Sequence, residues 1–111
     1  MKMKQTLAIR IPSHRAPTHP GEILNEEFLV PLGITRSALA AFIHVPSSRV
    51  RDIVNQRQGV STDTALRLAK FFGTSPIFWM NLQLRWDLFH TERSEKRSLN
   101  TIQKFSNSRA S

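Results

Sequence analysis

From residue 20 to residue 88 the apolar positions recur at intervals of three and four, and Pro, Gly, Ser and Thr break the pattern into short helical stretches. Ile23, Leu24 and Phe28 form the first stripe, in a helix predicted to start at Pro20, where a missing amide does no harm, with Glu22 well placed in its first turn. Pro31 is expected to end this helix, and Gly33 to reverse the chain into Thr35, the expected N-cap of a second helix. Leu39, Ala40 and Ile43 supply the buried face of the second helix; after an interruption at His44-Val45-Pro46, Val50, Ile53 and Val54 supply that of a third. Gln56 to Val60 reads as a loop pivoting on Gly59. Ser61 or Thr62 then caps a fourth helix, with Asp63 near its positive end, Ala65, Leu68, Ala69 and Phe72 as its stripe and Gly73 as its left-handed stop. Ser75 and Pro76 start a fifth, whose Phe78, Trp79, Leu82 and Trp86 cover a broad face, Phe72 and Phe78 being expected in the core. Upstream, Leu7, Ile9 and Ile11 alternate with Ala8 and Arg10, a weak strand signal, and Pro12, Pro17 and Pro20 forbid a continuous helix. The division predicted is an extended arm over residues 1–18, an all-α domain of five short helices over 19–88, and a basic polar tail over 89–111.

Residues 36–55 are the stretch around which the rest is organised. Ala40 is small enough to let the third helix cross close over the second, and Val45 can plug the wedge between them. The pattern is that of a helix-turn-helix, whose second helix enters a DNA major groove. It resembles the repressor-type (Cro/XRE) version, which implies a lambda-repressor-like fold. His44 stands at the turn position that is usually Gly, and histidine takes the left-handed backbone required there at a cost of about 1 kcal/mol.

Charge sharpens this picture by its placement more than by its total. The chain carries a formal +8, yet between residues 20 and 88 seven cations face six carboxylates, so the tails hold the excess. Within that nearly neutral body, Glu22, Glu26 and Glu27 crowd the first helix, whereas Arg36, Arg49, Arg51 and Arg57 cluster on the helix-turn-helix against Asp52 alone. A basic face on a neutral body is what phosphate contact requires.

The first turn of the third helix would point into the groove, which makes Ser47, Ser48 and Arg51 the candidates to reach base edges, with Arg49 at the flank. Arg51 ranks first because arginine to guanine is the commonest specific contact. Asp52 could accept from a cytosine, but orienting Arg49 or Arg51 is the role expected of it. Thr35, Arg36 and Ser37 on one side, and Asn55, Arg57 and Gln58 on the other, are assigned mainly to phosphate, where they set register without reading sequence. An arm carrying Lys2, Lys4, Arg10 and Arg15 could also reach the minor groove. Trp79 and Trp86, seven apart with Leu82 between them, could form a stripe facing a second subunit, and dimeric helix-turn-helix proteins bind half-sites about 34 Å apart.

The runs HPGEILNEEFLVPLG, from His19 to Gly33, and GVSTDTALRLAKFFGTSPIFWMNLQLRWDL, from Gly59 to Leu88, are similar to those of HigA-type antitoxins, including the VapI-like group. That resemblance implies a homodimeric antitoxin that represses its own toxin-antitoxin operon by occupying operator DNA and that neutralises a RelE-like ribonuclease toxin. Two alternatives stand beside it: a solitary regulator without a toxin partner, and a toxin-binding module whose helix-turn-helix is scaffold only. Non-specific nucleic-acid binding through the basic tails is a third class.

Enzymatic chemistry finds no support. His14, His19, His44 and His90 lack metal-ligand spacing, no HExxH, phosphate-binding glycine loop or GxSxG elbow is present, and no cofactor or metal is expected. His19 before Pro20 reads as a helix cap or turn residue. With no cysteines, no apolar run near the roughly 20 residues of a membrane span and an N-terminus broken up by Lys2, Lys4, Arg10 and Pro12, a cytoplasmic, nucleoid-associated protein is expected.

Overall fold

The computed structural model describes residues 16–106, and all regular structure among them is helical. Helix α1 runs without a break through three stretches, Pro20–Ile23, Leu24–Leu29 and Val30–Leu32, of which the middle one is a π-type turn. Then come α2 (Arg36–Ile43), α3 (Ser47–Val54), α4 (Thr62–Phe72), α5 (Pro76–Ser94) and the short α6 (Lys96–Leu99). The strand-like alternation at Leu7, Ile9 and Ile11, and the minor-groove arm built on Lys2, Lys4, Arg10 and Arg15, lie outside the described residues.

Most helix ends follow from local chemistry. Thr35 Oγ1 accepts from the Ala38 amide at 3.0 Å, Ser61 Oγ from Thr64 at 3.2 Å and Ser75 Oγ from Phe78 at 3.1 Å, so each satisfies an amide that its helix cannot. Gly33 and Gly73 take left-handed backbone at φ 67° and 76° and stop α1 and α4. His19 is the cap of α1: its Nδ1 accepts from the Gly21 amide at 2.8 Å, and the ring is buried edge-on against Trp86.

Pro31 does not end α1, contrary to expectation. It has no N–H to donate, and its ring would crowd the carbonyl four residues back in a regular α-helix. The wider turn at Leu24–Leu29 removes the conflict: Val30 donates to the Asn25 carbonyl five residues back, and the helix continues to Leu32. Gly33 N–H to Val30 carbonyl (3.2 Å) and Ile34 N–H to Leu29 carbonyl (3.0 Å) then close the end. The loop after α3 also differs from the sequence reading. Its left-handed residue is Gln56 (φ 61°), not Gly59. Gly59 leaves room for a side chain: a Cβ there would stand 2.5 Å from Gln83 Oε1, which accepts from the Val60 amide at 2.7 Å.

One core joins α1 to α5. Leu24 and Leu29 enter it from α1, Leu39, Ala40 and Ile43 from α2, Val50, Ile53 and Val54 from α3, Ala65, Leu68 and Ala69 from α4, with Val60 from the loop and Trp79 from α5. Trp79 is 0% exposed, and its indole N–H donates to Thr74 Oγ1 at 2.8 Å. It therefore has no surface to offer a second subunit, which corrects its assignment to a dimer stripe. Removing such a ring costs about 3–5 kcal/mol in typical cores. Leu82 and Trp86 lie on the same inward face and are half-buried, Leu82 against the core and Trp86 against His19. Phe28 centres the aromatic packing, 4.7 Å from Phe72 and 5.1 Å from Trp79, while Phe78 sits at the edge with 38% of its surface exposed instead of within the core.

The fifth helix is longer than its sequence pattern suggests. It continues past Leu88 to Ser94, where Arg93 lies over the Phe89 ring at 5.1 Å, so the tail begins as helix. The consequence is an elongated molecule, 60 × 35 × 22 Å. Among the described residues no helix is long and apolar enough to cross a membrane.

Candidate nucleic-acid interface

The turn between α2 and α3 sets the geometry of the site. His44 adopts φ 60°, ψ 50°, the left-handed conformation expected of it. The His44 amide donates to Ala41 carbonyl (3.3 Å) and the Val45 amide to Ala40 carbonyl (3.0 Å), the same paired closure that ends α1. Ala40 is buried where the helices cross, and Val45 packs against the core as the plug. Pro46 then starts α3 with extended backbone and no side-chain cap.

This arrangement splits α3 cleanly. Val50, Ile53 and Val54 are buried, whereas Ser47, Ser48 and Arg51 are exposed, as their three- and four-residue spacing requires. Thr35, Arg36 and Ser37 are exposed at the start of α2, with Thr35 also serving as its cap. Arg57 is exposed in the loop beyond α3. Asn55 does not stand on the opposite side from Arg36: its Oδ1 accepts from Arg36 Nη1 at 3.3 Å, so the start of α2 and the end of α3 form one polar edge.

Arg49 is the site residue whose surroundings differ most from the sequence reading. Its partner is not Asp52 but Asp63, in the first turn of α4, with Arg49 Nη1 to Asp63 Oδ2 at 3.1 Å. Arg67, one turn further along α4, donates from Nε to both oxygens of Asp63 at 3.0 and 3.1 Å and from Nη1 to the Ile43 carbonyl at 2.9 Å. The Arg67 hydrogen bond, more than any other contact, holds the Asp63 carboxyl below the usual carboxylate range, with Arg49 adding to it. Arg51, by contrast, makes no ion pair among the described residues. Asp63 and Arg67 escaped sequence reasoning as members of the site. Their i,i+4 spacing announces a pair within α4, but nothing local announces that the pair reaches α3.

His19 and Gly21 support the site from behind. Burial first of all lowers the His19 pKa, with His90 acting in the same direction and Asp87 and Glu22 opposing it, so Nδ1 is kept as a neutral acceptor for the Gly21 amide. Gly21 itself packs so closely on the Ile53 carbonyl, at the end of α3, that no side chain fits between them.

The site is an exposed helix face, and among the described residues no group of three or more acidic, His or Cys side chains could hold a metal. The chain matches a family described as Helix-turn-helix over residues 26–79. It is 46% identical over 84 residues to Virulence-associated protein I of Dichelobacter nodosus, covering 76% of this chain and 77% of that protein. It is 42% identical over 78 residues to Antitoxin HigA-1 of Vibrio cholerae, covering 69% and 72% of the two chains. Among solved structures, the Pseudomonas aeruginosa antitoxin HigA with the higBA promoter superposes with a TM-score of 0.76 at 40% identity, over 79% of this chain and 96% of that one. Its kin are regulators and antitoxins, and the chain, like them, is not an enzyme. The chain belongs to the HigA-type, VapI-like group of Cro/XRE helix-turn-helix proteins.

Proposed function

We propose that the protein is an antitoxin that binds operator DNA through α3, represses its own toxin-antitoxin operon as a homodimer and neutralises a RelE-like ribonuclease. The observation that carries the DNA part is the division of α3 into a sealed face and an exposed one bearing Ser47, Ser48 and Arg51, which makes no ion pair among the described residues. Its support from outside is the likeness in fold to an antitoxin solved with its promoter. In this reading Arg51 reads a guanine edge, the serines contact neighbouring bases, and Thr35, Arg36, Ser37, Asn55 and Arg57 bind phosphate along the polar edge. Repression needs no chemistry, because an occupied operator excludes polymerase.

Dimerisation brings two copies of α3 to successive half-sites. With Trp79 sealed and Leu82 and Trp86 turned inward, the apolar side chains that α5 exposes most are Ile77, Leu84 and Leu88, which share one face by their helical spacing. We place the dimer contact on this face. The toxin part rests on family membership.

Substituting Arg51→Ala tests the assignment. Losing one bidentate base contact costs about 1–3 kcal/mol of discrimination, so preference for the operator over a scrambled duplex should fall by about 5- to 150-fold while toxin neutralisation is unchanged. A variant that shifts its promoter DNA as the wild type does would show that α3 is not the reading helix.

A further inference from the structure

Asp63 lies outside α3, yet its carboxylate holds a cation of that helix. It is not on a loose chain: Arg67 grips both carboxylate oxygens and is itself anchored to the last carbonyl of α2, so the acceptor that meets Arg49 is fixed relative to both helices of the helix-turn-helix. Among the described residues Arg49 is the only cation of α3 in an ion pair. We propose that Asp63 is a specificity-determining residue, which tethers Arg49 and so keeps that cation from gripping the phosphates of any duplex.

The inference rests on the reading that α3 enters DNA. Binding to non-cognate DNA consists almost entirely of phosphate contacts, and a free arginine on α3 would add a full one. With Asp63 in place, that contact requires breaking the pair and bringing a carboxylate towards the phosphate backbone. On the operator, base contacts by Arg51 and the serines fix how α3 sits, and Arg49 stays on Asp63. Releasing Arg49 therefore strengthens non-cognate binding more than operator binding.

The test uses the full chain as wild type, Asp63→Asn, Arg49→Ala and the double variant, with fluorescence anisotropy on its own promoter duplex and on a scrambled duplex of equal length and composition, from 50 to 200 mM salt. Asp63→Asn should bind the scrambled duplex more tightly. Its log–log salt slope should steepen by about 0.9, an additional loss of about 3.5-fold across that range, and the ratio of operator to scrambled affinity should fall. In the Arg49→Ala background the same change should do nothing. An unaltered slope, a loss of operator affinity alone, or an effect that is equal on both duplexes and persists without Arg49 would overturn the proposal, the last marking Asp63 as a support of α4 only. A wild-type chain with no preference for its promoter would overturn the DNA reading itself, and this proposal with it. A wild-type preference that Asp63→Asn leaves intact removes only the role of Asp63.

Discussion

Replacing Gly21 with alanine adds one methyl group at the closest approach of α1 to α3. The new Cβ would overlap the Ile53 carbonyl oxygen and lie 2.7 Å from its carbon and 3.1 Å from His19 Nδ1. Restoring an ordinary carbon–carbon separation would alone require the two helices to part by about 0.8 Å, the carbonyl oxygen demands more, and because the obstacle is backbone no rotamer change can supply it. Overpacking of this kind costs about 3 kcal/mol when nothing can yield. Displacing the Gly21 amide also strains the His19 cap, worth about 1 kcal/mol. Alanine's better helix propensity returns about 1 kcal/mol. The net expectation is a loss of about 3 kcal/mol, which lowers the midpoint of a domain this size by about 12–24 °C in a thermal scan followed by circular dichroism. Gly59→Ala is the matched control: it meets the far end of the Gln83 side chain, which can swing away at the cost of one hydrogen bond, about 1 kcal/mol. An unchanged or raised midpoint for Gly21→Ala, or a larger loss for Gly59→Ala, would refute the argument.

Two further outcomes are expected. His19 folds as a neutral acceptor with a lowered pKa, so its contribution is fully present above the unfolded value of about 6.5 and is lost as pH falls through the lower folded value. The thermal midpoint should therefore hold near neutrality and drop on acidification, and His19→Asn, which keeps a capping acceptor, should flatten that drop; a drop that survives the substitution would place its origin elsewhere. Leu84→Glu puts a charge in the exposed stripe of α5 without touching the core, and light scattering after size exclusion should then report a monomer that keeps its helical circular-dichroism spectrum. A variant that remains dimeric would clear that face of the role.

What could be read from the chain beforehand divides by the range of the interaction. Thr35, Ser75, Gly33, Gly73 and the left-handed His44 were legible because a cap or a turn is decided within about four residues. The burial of Val50, Ile53 and Val54 followed from periodicity alone. Pro31 misled because its conflict is resolved upstream, in a π-type turn for which Leu24–Leu29 carries no recognisable signal. Trp79 and Trp86 were rightly placed on one face, but periodicity cannot say whether a face turns inward or towards a partner. The pairing of Arg49 with Asp63 joins residues fourteen apart on different helices, and the pairing of Arg36 with Asn55 joins residues nineteen apart. Both depend on how α2, α3 and α4 cross, which no local pattern encodes.

Two of the inward contacts of α5 have a consequence for how such a protein can change. Gln83 holds the loop that leaves α3, through the Val60 amide, and Trp86 holds the ring that caps α1, whose Gly21 abuts the last turn of α3. The long helix is thus riveted to both flanks of α3, while its outer side carries the exposed stripe of Ile77, Leu84 and Leu88. Substitutions on that outer side can retune association without disturbing the grip on α3.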